Sequence, residues 1–266
     1  MNRIEARFEQ LKQRGETAFI PFITAGDPDL AASEQVVLAL AEAGADVIEF
    51  GVPFSDPVGD GPVIQEASMR ALKHGITLKD VLGSVKRVRE QSDVPILLFS
   101  YYNPILAYGV EQLAADMADA GADGLLCVDL PPEEGAEYKA ALDAHGLCTV
   151  FLTAPTTTDA RLAVVSERCT GFVYYVSQMG VTGERASVVA DLEQQVSRIK
   201  RLTAKPVAVG FGISTPEHAR HVAGIADGVV VGSALVRFIG AHGSDADLAR
   251  QVHDFAKPLA DAAKGR

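Results

Sequence analysis

Short runs of apolar, mostly β-branched residues alternate along the chain with longer segments of mixed polarity. Most of the short runs are apolar almost without interruption, which is typical of parallel strands that are covered on both faces. The pattern predicts eight strands: Ala18–Thr24, Val47–Gly51, Val94–Phe99, Gly124–Val128, Cys148–Leu152, Gly171–Val176, Val207–Phe211 and Gly228–Val231.

The segments between these runs carry apolar residues at helical spacing. They predict helices over Leu30–Ala43, Val110–Ala120, Glu133–Ala144 and Ala190–Arg201, among others. Eight strand–helix units in about 250 residues are expected of a (β/α)8 barrel. An open doubly wound sheet is the alternative, because periodicity does not show whether a sheet closes.

Two further apolar stripes lie outside these units. Ile4, Phe8 and Leu11 precede the first strand, and they predict a helix that plugs the lower mouth of the barrel. The last stripe consists of Leu248, Val252, Phe255 and Leu259. We therefore predict an α/β protein, a single TIM-barrel domain over residues 1–266 with an extra N-terminal helix and a C-terminal helix.

A short phrase recurs before three of the predicted strands. In each case a helix ends near a glycine, and an aspartate follows just before the strand. We expect the glycine to be the C-cap of the helix and the phrase to be a structural turn at the bottom of the barrel. The three copies are Ala43–Asp46, Ala120–Asp123 and Gly224–Asp227.

Charge and cysteine usage exclude several classes of protein. The 266 residues include 24 Lys and Arg against 35 Asp and Glu, a formal charge of −11, so we expect no nucleic-acid partner. The polar N-terminus has no signal-peptide pattern, and no apolar run reaches the roughly 18 residues of a membrane span. Three scattered cysteines indicate buried thiols in a reducing compartment. We expect a soluble, cytoplasmic protein.

One acidic residue stands inside a predicted strand. Period-two geometry puts Val47, Glu49 and Gly51 on one face of that strand and Ile48 and Phe50 on the other. The apolar face should meet the helices, so Glu49 points into the barrel near its upper mouth. Desolvation there raises the pKa of a carboxyl group towards the range useful for proton transfer. The alternative is a buried carboxylate with a purely structural partner.

A long loop rich in Gly and Pro follows this strand and carries two more candidate carboxylates. Asp56 precedes Pro57 and Asp60 precedes Gly61, and both settings suit turn-forming aspartates equally well. Loops of this length in a compact domain are commonly functional. The local sequence does not decide between the two residues.

A second group of candidate residues lies near the C-terminus. Glycines in Val209–Ser214 and Val231–Leu235 follow the last two predicted strands, where barrels usually bind phosphate through backbone N–H groups and a helix N-terminus. Thr182 and Gly183, after the sixth predicted strand, could add donors. Such a site needs no Lys or Arg, so the negative charge of the chain does not exclude a phosphorylated ligand.

The residues missing from the predicted active end narrow the chemistry. No Lys lies at the C-terminal end of a predicted strand, as a Schiff-base aldolase would need, and no His lies there to bind a metal. Carboxylate acid–base chemistry on a phosphate-bearing small molecule remains. Its apolar part would contact Phe22, Phe99, Tyr101 and Phe211.

Five segments carry a more specific signal: Pro21–Pro28, Glu49–Pro57, Asp60–Pro62, Gly180–Gly183 and Gly210–Ser214. In this order, and over essentially the whole chain, the sequence resembles the tryptophan synthase alpha chain family. The stretch from Glu49 to Gln65 is the most specific part. The sequence departs from the family at Gly59, where Ala is common and where Gly could loosen the loop, and at Phe99–Tyr101.

The resemblance implies cleavage of indole-3-glycerol phosphate to indole and D-glyceraldehyde 3-phosphate in tryptophan biosynthesis, by a carbon–carbon lyase. It implies that Glu49 moves protons between the indole ring carbon and the glycerol hydroxyl, and it selects Asp60 over Asp56 as the residue at the indole N–H. The implied substrate contacts are Phe22, Phe99, Tyr101, Tyr174, Thr182, Gly183, Phe211, Gly212, Gly232 and Ser233.

The resemblance also implies a partner. A beta chain that carries pyridoxal phosphate would join this chain in an α2β2 assembly, while this chain itself would hold no cofactor and no metal. The loops Pro53–Val58 and Asn103–Leu106 would face that partner. Two alternatives remain: another phosphate-binding barrel lyase or isomerase, or a non-catalytic activator of a beta-type partner.

Overall fold

A computed structural model describes residues 1–177, 185–210 and 212–266. All the strand pairs in this part of the chain are parallel. The strands are β1 (Ala18–Thr24), β2 (Ile48–Gly51), β3 (Ile96–Ser100), β4 (Gly124–Cys127), β5 (Cys148–Val150), β6 (Leu152–Thr153), β7 (Val173–Val176), β8 (Val207–Gly210) and β9 (Gly228–Val231).

Helices connect the strands and cover their outer faces. They are α1 (Arg3–Arg14), α2 (Leu30–Ala43), α3 (Pro62–Leu72), α4 (Leu78–Arg89), α5 (Tyr102–Tyr108), α6 (Val110–Ala120), α7 (Ala136–Ala144), α8 (Asp159–Arg168), α9 (Arg185–Leu202), α10 (Pro216–Ala223), α11 (Ser233–His242) and α12 (Leu248–Ala263). The predicted helices over Leu30–Ala43 and Val110–Ala120 match α2 and α6 at both ends, whereas α7 starts later than predicted and α9 is longer at both ends.

The sheet forms a nearly closed barrel. Its strand order is β5-β4-β3-β2-β1-β9-β8-β7-β6, and its two terminal strands are separated along the chain by Phe151 alone. The predicted fifth strand is therefore split in two, because the Phe151 N–H donates to the Cys169 sulfur (3.2 Å) instead of to a neighbouring strand. The predicted barrel is confirmed, and the open doubly wound sheet is wrong.

The two faces of each strand enter different apolar clusters. Alternate residues such as Ile20 and Val47 point into the barrel, whereas Phe19 and Ile48 pack under the helices. Ile4, Phe8 and Leu11 of α1 join the inner cluster, so this helix closes the lower end as predicted.

The C-terminal stripe also packs as predicted. Leu248, Val252 and Leu259 are buried in the outer cluster, and the Phe255 ring stacks on Phe238 with 4.6 Å between the ring centroids.

Two of the three recurrent turn phrases end their helices with the expected left-handed glycine cap, and the third does not. Gly44 and Gly121 end their helices at φ 108° and 86°, the left-handed conformation that favours glycine. Gly224 ends α10 at φ −68°, so a left-handed cap is not formed there.

The aspartates of the three phrases share one contact. Asp46, Asp123 and Asp227 each accept a hydrogen bond from a backbone N–H near the start of the adjacent strand. The donors are Phe19 at 2.9 Å, Ile96 at 2.8 Å and Val207 at 2.8 Å, respectively. The phrase therefore holds neighbouring strands together at the lower end, away from the ends that carry the candidate chemistry.

Candidate active site

Glu49 occupies the middle of β2, between Phe22 of β1 and Leu97 of β3. Its side chain points into the barrel, since Val47 on the same face belongs to the inner cluster and Ile48 to the outer one. Only 1% of the residue is exposed, and neither carboxyl oxygen has a hydrogen-bond partner among the described residues. Burial raises the pKa of Glu49 to about 8, so the group holds a proton at neutral pH.

Asp60 closes the loop between β2 and α3 and faces a cavity at the upper mouth of the barrel. It is half-buried, and burial raises its pKa to about 6, although the Tyr101 hydroxyl beside it acts in the opposite direction. Asp56 lies on the same loop but is exposed. The geometry thus separates two residues that the local sequence could not distinguish.

The cavity beside Asp60 is narrow, and its lining is both polar and apolar. Its volume of about 10 Å³ is room for roughly one water molecule, so an indole-sized ring enters only when a lining side chain moves. The lining residues are Phe22, Thr24, Gly51, Val52, Asp60, Ile64, Ser68, Phe99 and Tyr101.

Aromatic side chains form much of this wall. The rings of Phe22 and Phe99 meet edge to face, with 5.1 Å between centroids. Gly51 makes room for this arrangement, since a Cβ there would stand 2.6 Å from the Phe22 ring. The Tyr101 hydroxyl accepts a hydrogen bond from the Gly59 N–H (3.0 Å), and its ring packs against Phe54. The loop that carries Asp60 is thus attached to Tyr101.

Tyr174 lies in the inner cluster on β7. Burial raises its pKa well above the ordinary value, and the nearby carboxylates of Glu49 and Asp60 add to this effect. Gly210 leaves space for the phenol, because a Cβ there would collide with the Tyr174 hydroxyl. The structure therefore brings Tyr174 close to both candidate acids.

The predicted anion site lies at the start of α11. Gly232 is the N-cap of this helix and has no capping side chain, which leaves backbone N–H groups at a positive helix end. Ser233 begins the helix and is exposed. Gly212, after β8, has φ +77°, a turn that favours glycine. Thr182, Gly183 and Phe211 lie outside the described residues.

Five of the cavity-lining residues were not predicted as site residues from the sequence: Thr24, Gly51, Val52, Ile64 and Ser68. The Thr24 hydroxyl is buried and has no hydrogen-bond partner within the part of the chain that the structure describes. Ile64 and Ser68 of α3 line the same cavity at positions four and eight after Asp60. Ile64 and Ser68 are four positions apart within α3 and so share one face of this helix, which was the available signal for both.

The other candidate chemistry gives no site in the residues that the structure describes. No group of three or more His, Cys, Asp or Glu residues is placed to hold a metal ion among them. Cys127, Cys148 and Cys169 are buried, and burial raises the pKa of each thiol, as expected of structural cysteines.

Comparison with known proteins decides the family. Residues 8–264 match the sequence model of the family described as tryptophan synthase alpha chain. This chain belongs to the tryptophan synthase alpha chain family. Its relatives include the tryptophan synthase alpha chains of Geobacter sp. (strain M21), 54% identical over 97% of both chains, and of Geobacter sulfurreducens, 52% identical over 98% of this chain and 99% of the relative.

Solved structures of the tryptophan synthase alpha family agree with the barrel. The alpha subunit from Legionella pneumophila str. Paris superimposes with a TM-score of 0.92 at 39% identity, covering 99% of this chain and 98% of the other. An aminoacrylate-bound tryptophan synthase from M. tuberculosis gives a TM-score of 0.89 at 35% identity, covering 99% and 100%. The described part of this chain includes no helix long and apolar enough to cross a membrane.

Proposed function

We propose that this chain cleaves indole-3-glycerol phosphate to indole and D-glyceraldehyde 3-phosphate, with Glu49 and Asp60 as its catalytic residues. The observation that carries the proposal is the Glu49 carboxyl group, which is buried, has no hydrogen-bond partner in the described part of the chain and holds a proton at neutral pH. It lies two residues before Gly51, which lines the cavity that Asp60 faces. Such a group is suited to general acid catalysis inside the barrel.

The two carboxyl groups have different proton affinities, which assigns them different roles. With a pKa of about 8, Glu49 begins the reaction as an acid and protonates the indole ring carbon that bears the glycerol chain. With a pKa of about 6, Asp60 is ionised at pH 7 and stabilises the positive charge that develops at the indole N–H. The ring thereby becomes an electron-poor leaving group.

Bond cleavage then needs no metal and no Schiff base. The glycerol hydroxyl next to the ring loses its proton to the Glu49 carboxylate, and its oxygen forms the aldehyde. The electron pair of the broken carbon–carbon bond returns to the indole ring, which leaves as neutral indole. Glu49 ends the cycle protonated, as it began.

The remaining substrate contacts follow from the same placement. Phe22, Phe99, Tyr101 and Tyr174 would surround the indole ring, and the N–H groups at Gly232 and Ser233 would bind the phosphate with help from the turn at Gly212. Thr182, Gly183 and Phe211 enter this proposal through the family resemblance alone.

We further propose that residues 1–266 form a single domain that works in the cytoplasm beside a beta chain, in an α2β2 assembly. The pyridoxal phosphate belongs to the beta chain in this proposal, and this chain needs no cofactor. Two exposed apolar side chains near the mouth support a docking surface: Val58, in the loop after β2, is 77% exposed, and Leu106 is 58% exposed. Leu106 lies in α5, so the segment Asn103–Leu106 that the sequence predicted as a loop is helical.

The test follows indole release from indole-3-glycerol phosphate by the purified chain, with and without a beta chain. Glu49→Gln and Asp60→Asn should each lower the rate about 10²–10⁴-fold, because each removes a positioned acid or base. Asp56→Asn, an exposed change in the same loop, is the matched control and should keep the rate of the isolated chain.

Three results would contradict the proposal. Indole release that survives Glu49→Gln would remove Glu49 from the mechanism. An unchanged rate in Asp60→Asn with a loss in Asp56→Asn would exchange the two aspartates. Failure of the wild-type chain to release indole, combined with activation of the beta chain, would make it a non-catalytic activator.

A further inference from the structure

A half-buried ion pair that the proposed mechanism does not use joins the turn after β1 to α3. Asp27, in the turn after β1, is 3% exposed and faces Arg70 on α3. The Arg70 Nε and one terminal guanidinium nitrogen donate to the two carboxylate oxygens, both at 2.8 Å. This bidentate geometry fixes direction as well as distance between the two elements.

A third element leaves room for the pair. Gly240 on α11 faces the guanidinium group, and a Cβ at this position would stand 2.7 Å from the nearest Arg70 nitrogen. The end of β1, α3 and α11 therefore meet at one ion pair. In addition, Ala67 of α3 and Val236 of α11 pack together with Phe22 in one small apolar cluster.

Each of these three elements carries part of the candidate site. The end of β1 contributes Phe22 and Thr24 to the cavity wall. The first residue of α3 comes two positions after Asp60, and α11 begins at the predicted phosphate site. The N-cap of α3 is Gly61, which has no side chain to anchor the helix start. The position of Asp60 thus depends on how α3 is held further along its length.

We propose that Arg70 and Asp27 are positioning residues, whose ion pair holds α3 against the end of β1 and thereby sets the Asp60 carboxylate in the cavity. The kinetic consequence of this inference rests on the proposed function. The placement of Asp60 is independent of the reaction and can be measured directly.

The primary variant is Arg70→Lys, which keeps the charge and loses the bidentate contact. We expect kcat for indole release, counted per folded molecule, to fall about 10- to 100-fold, because small misplacements of catalytic groups have effects of this size. The KM should change less than about threefold, since the lost interaction belongs to the transition state.

Gly240→Ala is the second variant, and it distinguishes loss of the ion pair from a general loss of folding. Alanine is the better helix former, so helix propensity alone would stabilise α11. Its Cβ would nevertheless displace the Arg70 guanidinium. The matched control is Arg87→Lys, because Arg87 makes a similar two-nitrogen contact with Glu34 between α4 and α2, away from the site.

The deciding measurement is the titration of the Asp60 carboxyl group, followed by ¹³C NMR in wild type and variants. In wild type the midpoint should lie near the raised pKa of about 6. In Arg70→Lys and Gly240→Ala it should move towards the ordinary aspartate value, because the loop no longer holds Asp60 in the cavity. Arg87→Lys should match wild type.

A purely structural role of Arg70 and Asp27 predicts different results. It would lower the midpoint of unfolding while leaving both the kcat of the folded enzyme and the Asp60 titration unchanged, and that outcome overturns the inference. If Glu49→Gln left indole release intact, the proposed function would fail. The Asp60 titration would still decide the positioning role.

Discussion

At the scale of single residues, the strongest signal is a buried acid to which residues 1–177, 185–210 and 212–266 offer no hydrogen-bond partner. Glu49 is recognisable in the sequence because an apolar strand has one carboxylate on its inward face. The choice between Asp56 and Asp60 is not recognisable in the same way. Both precede turn residues, and only the path of the loop exposes one and places the other at the cavity.

The raised pKa of Glu49 predicts a stability effect of known sign. Its pKa is about 8 in the folded chain, against an ordinary value of 4.5 for the solvated carboxyl group of the unfolded chain, so folding favours the protonated form. This contribution to stability is fully present when the pH is below 4.5, the pKa of Glu49 in the unfolded chain, and it is lost as the pH rises through about 8, its pKa in the folded chain. Wild type should therefore lose stability with rising pH relative to Glu49→Gln, whose side chain does not titrate.

The measurement is urea unfolding of both chains at several pH values. The free energy of unfolding of Glu49→Gln minus that of wild type should increase from about pH 5 upwards. Above pH 8 this difference should be roughly 3–5 kcal/mol larger than it is in acid. The same variant should have lost its indole release, which would make Glu49 a functional residue maintained at a cost in stability. A difference between the two chains that stays constant with pH would contradict the raised pKa.

At the scale of elements, sequence patterns located the strands and helices, and the structure explains where they failed. The hydrophobic periodicity and the length of the apolar runs predicted both ends of β1 and of β9 correctly, because few polar residues interrupt these runs. The break at Phe151 could not be predicted, since it depends on a thiol that approaches from Cys169, a residue 18 positions away. Likewise, the recurrent glycine–aspartate phrase indicated turns but not the strand that each aspartate contacts.

The aspartate of the second phrase should be a major contributor to stability. Asp123 is buried, accepts the Ile96 N–H, and pairs with Arg3 at 2.9 Å and with Arg89 at 3.0 Å. Asp123→Asn keeps an acceptor oxygen but leaves Arg89, whose side chain is 13% exposed, without its countercharge. Breaking a buried pair in this way should lower the free energy of unfolding by about 2–4 kcal/mol.

The control for this prediction is Asp119→Asn, which breaks an exposed pair with Lys86 and should cost less than about 1 kcal/mol. Both variants can be compared by urea unfolding. Indole release by the folded molecules should be unchanged in each, because Asp123 lies at the end of the barrel opposite the cavity. Equal stability of the two variants would show that the strand contact at Asp123 is unimportant.

At the scale of the whole molecule, the barrel separates stability from chemistry. The lower end is closed by α1, whose Arg3 and Arg7 pair with buried aspartates of the turn phrases. The upper end carries Asp60, the uncapped start of α11 and the exposed apolar side chains of Val58 and Leu106. A partner that exchanges indole with this chain must dock at the upper end, because the lower end is occupied by a packed helix.

Docking at the upper end predicts different behaviour for two exposed leucines. Leu106 on α5 is 58% exposed at the mouth, whereas Leu202, the last residue of α9, is 39% exposed before β8 begins. Leu106→Glu should leave indole release by the isolated chain near its wild-type rate and weaken association with the beta chain about tenfold or more, because it introduces a charge into an apolar contact. Leu202→Glu should change neither property. Titrating each variant with a purified beta chain, while following both indole release and complex formation, separates the two effects.

Tight binding by Leu106→Glu together with weak binding by Leu202→Glu would move the docking surface to the lower end and exclude direct transfer of indole through the mouth.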